Sequence, residues 1–342
     1  MNTCTPSYMK TTSKKSERLL WGAFISCIVL IGINLAFGAS ALPSDTLSAL
    51  LRGDTAHAGV RVLLYVRLPR TMGAAFAGFA LASAGVLIQK VLGNPLAGPN
   101  LIGINAGAGF GATLALAVFP ALTAILPVFA FLGALLAALT VAAIARRTRA
   151  SRVTVILAGA ALGTAFSAAS DTLHTFFPNA VAGSVSYRIG SLDAVSVKIL
   201  IPACILIVLA FFCAFLFRPE LDVLSLGDDT AGALGIAVGR YRFLFLVLAA
   251  ALSGAAVSFA GLLGFVGLLI PHAARRLIGE ETEKLLPLSG FLGAGLVLLC
   301  ELPARLLVRP YELPVGIFLS ALGVPFFLWL LLSGKGGGSF DD

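Results

Sequence analysis

Few side chains in this 342-residue chain are able to do chemistry, and they stand at the ends of long apolar runs. Arg67 and Arg70 flank a Leu-Pro pair, and a stiff turn there would hold two guanidiniums in one small area suited to a carboxylate pair. At a membrane edge the same side chains would equally snorkel or bind lipid phosphate. Arg305 follows Glu301 by four residues, so it either faces a partner's carboxylate or pairs with Glu301 along one helix. Asp171 and His174 lie one helical turn apart, with Thr164, Ser167 and Ser170 nearby. They could ligate a metal, but no third ligand stands at metal spacing and His272 is isolated too, so no bound metal is expected.

Other chemistries lack their residues. There is no HExxH and no nucleophile with a base at motif spacing, which argues against an intramembrane hydrolase. The closing GKGGGSFDD lacks the GxxxxGK[ST] spacing and has no preceding strand, so no nucleotide site and no cofactor are expected. Of five cysteines, Cys27, Cys204, Cys213 and Cys300 sit in apolar runs and Cys4 in the basic head, none in a CxxC, which reads as packing.

The elements that must position these residues follow from composition. Hydrophobic residues make up 58% of the chain and charged residues 12%, whereas an ordinary soluble domain carries roughly 25% charged residues. An all-α polytopic membrane protein fits. About ten transmembrane helices are predicted, near 19–41, 68–91, 100–119, 122–145, 153–175, 197–217, 241–260, 262–278, 285–303 and 313–333. The first run, followed by Ala39-Ser40-Ala41, has the look of a cleaved signal peptide, but more than twenty apolar residues exceed the usual length. The net charge of +8 lies in loops and not on one folded face, which argues for orientation and against nucleic acid. With both termini cytoplasmic, 16 of the 24 Lys and Arg residues fall inside, as the positive-inside rule requires.

One membrane domain (19–333) is predicted between a short basic cytoplasmic head (1–18) and a Gly-rich cytoplasmic tail (334–342). Spans 2–5 and 7–10 form two sets of opposite orientation, an arrangement common in transporters. Outer segments 42–66 and 176–196 are each long enough for a short surface helix. The inner segment 218–240 predicts two very short helices around Gly227, capped by Asp222 and by Asp228 or Asp229 and ended at Gly235. Helices of two turns are unstable alone, so they pack either on a partner subunit or on this chain's own helices. Small residues recur every fourth position at Gly103, Gly107 and Gly111, and at Gly159, Gly163 and Ser167. Close helix packing is the first meaning of such faces. The second face continues to Asp171, and an ionisable residue in a span normally faces a cavity or a partner.

Several blocks resemble one family. Arg67-Leu-Pro-Arg70, the Gly85 to Gln89 helix end, Asn94-Pro-Leu-Ala-Gly-Pro99, Leu224-Ser-Leu-Gly-Asp228 with Ala231 and Leu234-Gly235, Gly264-Phe-Val-Gly-Leu-Leu-Ile-Pro271-His272 and Glu312-Leu-Pro-Val-Gly316 are similar, in order, to the permeases of iron-siderophore, haem and cobalamin ABC importers. The resemblance implies ten helices per subunit, a second permease subunit in a homo- or heterodimer, two cytoplasmic ATPase subunits, and a periplasmic or lipid-anchored substrate-binding protein. It further implies that Arg67, Arg70 and Arg305 receive carboxylates of that binding protein, and that Gly227, Ala231, Leu234 and Gly235 belong to the segment coupled to the ATPase. Gly159, Gly163, Ser167 and Asp171 would then line the translocation path. Tyr187 stands where the family usually has Trp, and Glu301 where it usually has Asp.

The function this implies is passage of an iron-siderophore, or a haem- or cobalamin-like chelate, across a bacterial inner membrane, with ATP hydrolysed by the partner. A metal-ion ABC permease is the nearest alternative, and the absence of a His-rich path argues against it. An ion-coupled secondary transporter would hold coupling carboxylates at mid-membrane. Only Asp171 and Glu301 lie in or near spans, both towards outer ends, and such a transporter has no need of segment 218–240.

Overall fold

An apolar segment in lipid has to satisfy its own backbone N–H and C=O groups, which a helix does within one stretch of chain. The computed structural model describes residues 7–120, 122–148, 152–178, 185–193, 195–309 and 311–332, and each of the ten predicted apolar segments carries a helix. In chain order the helices are α1 (Ser7–Ala36), α2 (Thr46–Leu51), α3 (Ala58–Val62), α4 (Leu68–Leu92), α5 (Ile104–Val118), α6 (Leu126–Thr148), α7 (Arg152–Phe176), α8 (Val185–Ile189), α9 (Val197–Leu216), α10 (Arg218–Ser225), α11 (Asp228–Ala233), α12 (Val238–Ala260), α13 (Val266–Ile278), α14 (Thr282–Leu306) and α15 (Val315–Leu332). Among the described residues, seven helical stretches are long and apolar enough to cross a bilayer. Three of the predicted spans hold shorter helices, α5, α13 and α15, of 15, 13 and 18 residues. The predicted tail 334–342 and the first six residues of the predicted head lie outside the described residues, and α1 already begins at Ser7.

The short helices have local causes. Between α4 and α5 the chain turns through Gly93 and Gly103, both left-handed, and α13 starts only after an irregular stretch ending at Phe265, whose φ is also positive. Asn94 Oδ1 accepts from the Leu96 N–H, closing the first of these turns.

Helix α4 sits at the centre, nearly all of it buried, packed against α12, α13 and α14. Its Ala and Gly content permits that. A Cβ added at Gly85 would stand 1.8 Å from the Gly267 carbonyl oxygen of α13, so only glycine lets the two backbones approach so closely. Helices α5 and α6 pair through Gly107 and Gly133 in the same way.

One local expectation is corrected. The Leu-Pro pair between Arg67 and Arg70 is not a turn: α3, a π-helical stretch Leu63–Arg67 and α4 run on as one helix from 58 to 92. Pro69 sits in the first turn of α4, where its missing N–H is tolerated beside the widened π turn.

Candidate functional site

The arginines gather at the end of the bundle predicted to face outward. Arg67 comes from the π turn, Arg70 from the start of α4 and Arg305 from the end of α14. Helix α1 ends beside them with the unpaired carbonyls of its last turn. Arg67 Nη1 donates to the Leu35 and Ala36 carbonyls at 2.8 and 2.7 Å, and Nη2 to the Ser40 carbonyl at 2.5 Å. A cation is well placed at a helix C-terminus, where the dipole is negative. Glu301, fully buried, joins the other two: its Oε1 accepts from Arg70 Nε and, at 2.8 Å, from Arg305 Nε. Arg70 Nη1 also donates to Glu312.

The internal Glu301–Arg305 pair, one of two readings open from the four-residue spacing, is therefore formed. All three arginines are buried within this chain, the residues being 4%, 6% and 2% exposed. They are not side chains held out to solvent. A cavity of about 50 Å³ lies among them, with Arg67, Arg70, Arg305, Glu312 and Gly38 on its walls.

A second, larger cavity of about 420 Å³ opens between α5, α7 and α8. Asn100, Asn105, Ser167, Ser170, Asp171 and Arg188 give it polar walls, and Arg188 Nη1 stands 3.1 Å from His174 Nε2. Of the four expected path residues, Ser167 and Asp171 line this cavity. Gly159 and Gly163 do not. A Cβ on Gly159 would meet the Leu101 carbonyl oxygen at 2.4 Å, and Gly163 faces Gly103, so this part of the face is packing between α7 and the entry to α5. Asn100, Asn105 and Arg188 were not singled out in the sequence. Polar residues in or beside an apolar span were the available signal, but which way they point depends on the fold. No group of three metal-ligating side chains occurs among the described residues.

At the opposite end, segment 218–240 forms the two short helices α10 and α11, broken at Gly227 (φ 117°) and ended at Gly235 (φ 83°). Their carboxylates act differently from the expected caps. Asp222 lies late in α10 and caps another helix: it accepts from the Thr282 N–H at 3.2 Å and Thr282 Oγ1 at 2.5 Å, at the start of α14, and binds buried Lys90 of α4. Asp228 takes both oxygens to Arg242 Nη2 of α12 at 2.6 Å and stands 3.7 Å from Arg152 Nε of α7. Four membrane helices thus hold one short segment.

The expected coupling residues divide. Ala231 is fully buried inside this chain, whereas Leu234 is 62% exposed and Leu226, not singled out before, is 63% exposed. Gly227 and Gly235 have open space where a side chain would start.

A bundle of membrane helices with a polar cavity inside, and with a two-helix segment pinned at one end that shows leucines to the surroundings, is the build of a transport permease. The chain belongs to the FecCD transport family, whose model matches residues 26–333. It is 37% identical to the Fe(3+)-citrate import system permease protein YfmE of Bacillus subtilis, over 94% of this chain and 98% of that protein. The Fe(3+) dicitrate transport system permease protein FecD of Escherichia coli K12 is 35% identical over 89% and 98%. A solved inward-facing structure of the metal-chelate ABC transporter type superposes with a TM-score of 0.83 at 28% identity, covering 93% of this chain and 99% of that one. The protein is a permease subunit of an ABC importer, and catalysis of ATP hydrolysis is not its task.

Proposed function

We propose that this subunit passes a ferric chelate of the iron-citrate or siderophore kind from a substrate-binding protein into the cytoplasm of a bacterium. The similarity to YfmE over nearly the full length of both chains carries the reading. The subunit crosses the inner membrane ten times with both termini cytoplasmic, pairs with a second permease, and is driven by two ATPase subunits. Segment 218–240 is the coupling element. Leu226 and Leu234 supply its apolar contact, Ala231 holds α11 onto its own subunit, and Gly227 and Gly235 shape the turns. Ser167 and Asp171 line the path, in company with Asn100, Asn105 and Arg188. The outer cluster of Arg67, Arg70 and Arg305 receives carboxylates of the binding protein.

The test is uptake by proteoliposomes holding this permease with its partner ATPase and substrate-binding protein. Ferric citrate or a ferric hydroxamate should accumulate with ATP inside the cytoplasmic compartment. Accumulation of haem or cobalamin, with none of either ferric chelate, would reject the cargo.

A further inference from the structure

The outer arginine cluster has two cations more than its carboxylates balance, because Arg309, whose Nη2 donates to the Gly38 carbonyl at 2.8 Å, stands beside Arg67, Arg70 and Arg305. Arg67, Arg70 and Arg305 face Glu301 and Glu312, and Arg67 makes its hydrogen bonds to backbone carbonyls alone. Arg305 Nη2 is buried with no acceptor, although the residue is only 2% exposed and lines the 50 Å³ cavity. Leaving a charged donor unpaired in that setting is costly. About 10–15 Å³ of such space is enough to hold one water, so the cavity admits a small polar group such as a carboxylate. Glu312 is the acidic residue on its wall, and in contrast to Glu301 its side chain keeps 31% of its surface exposed.

We propose that Glu312 is an internal stand-in for a partner's carboxylate. On docking, an Asp or Glu side chain of the substrate-binding protein enters this cavity, pairs with Arg305 Nη2 and takes Arg70 Nη1 from Glu312. The proposal rests on the docking reading above and explains how buried arginines serve an interface: docking is an exchange of one carboxylate for another. Glu301, without exposed surface, stays in place as the permanent counter-ion. The exchange has a consequence inside the subunit. Glu312 lies three residues before α15, in a stretch otherwise fixed by the Leu313 N–H to the Ala304 carbonyl at 3.0 Å. At the start of α15 the Gly316 N–H donates to the Gly190 carbonyl, two residues from Arg188 on the polar cavity. Freed of Glu312, that stretch links docking to the mouth of the path.

The experiment measures affinity of the binding protein for the whole importer in nanodiscs. Removing the competitor in Glu312→Gln and Glu312→Ala should tighten docking about three- to fivefold, the scale of a partly exposed ion pair. Arg67→Glu/Arg70→Glu, scored per folded importer because both side chains are buried in this chain, should weaken docking strongly, more so at low salt. Strong weakening in the arginine variant with unchanged or weaker docking in both Glu312 variants overturns the exchange and spares the docking reading. Unchanged affinity in the arginine variant overturns both. Unaltered protein gives a second readout by hydrogen exchange: the Leu313 amide should exchange faster when the binding protein is docked, and slower or equal exchange counts against displacement.

Discussion

A carboxylate without exposed surface is tolerated in a protein only when cations stand beside it, and Glu301 has two guanidiniums from different helices on its Oε1, although its Oε2 is buried without a hydrogen-bond partner. Removing one member of such a set leaves the others buried and unbalanced. Glu301→Gln should therefore cost about 3–5 kcal/mol, read as a lower melting temperature of the detergent-purified subunit. Glu312→Gln, on a side chain 31% exposed, should move it little. A melting temperature equally affected by both would mean that burial does not set the ranking. Part of this cluster was legible: the spacing of Glu301 and Arg305 offers an i,i+4 pair. Arg70 reaches the same carboxylate from 231 residues away in the chain, and no local pattern encodes that contact.

Helices α10 and α11 are too short to stand alone, and the ion pairs of Asp222 and Asp228 supply what their length does not. Asp222→Asn should leave the Lys90 ammonium, 2% exposed, without its counter-ion and loosen α10 from α4 and α14. The importer is then expected to hydrolyse more ATP per chelate taken up. An unchanged ratio with folded protein would remove Asp222 from the transmission. The leucines give a separable outcome. Leu226→Asp with Leu234→Asp should abolish ATPase co-purification while leaving the subunit folded, because both side chains already face outward. Ala231→Trp should instead harm the subunit itself, since added volume has no room in a packed interior. Retained folding and ATPase binding in Ala231→Trp would contradict that burial. The sequence showed two short helices divided at Gly227 and stopped at Gly235, because glycine and acidic residues punctuate the chain locally. It misassigned Asp222, whose acceptor role lies across the fold at Thr282.

The whole subunit is a scaffold that moves another protein's cargo with another protein's energy. Purified alone it should show no ATP hydrolysis above background, and activity should appear only with the partner ATPase; hydrolysis by the lone chain would refute the division of labour. Composition and the length of its apolar runs decided that this is a helical membrane protein, because a chain 58% hydrophobic and 12% charged calls for a membrane, and continuous runs of about 20 apolar residues satisfy their backbone there as helices and do not alternate as barrel strands would. Apolar run length placed a helix in each of the ten predicted segments, seven of them long and apolar enough to cross a bilayer among the described residues, since hydrophobicity and helix breaking are local properties of residues. Tertiary structure decided the rest. It made Arg67 a cap for α1, turned Gly159 into packing and Ser167 and Asp171 into cavity wall, and buried Ala231 while leaving Leu234 outside. Each of these depends on which helix lies opposite, and helix neighbours are chosen by close fit between distant glycine-rich faces such as Gly85 and Gly267.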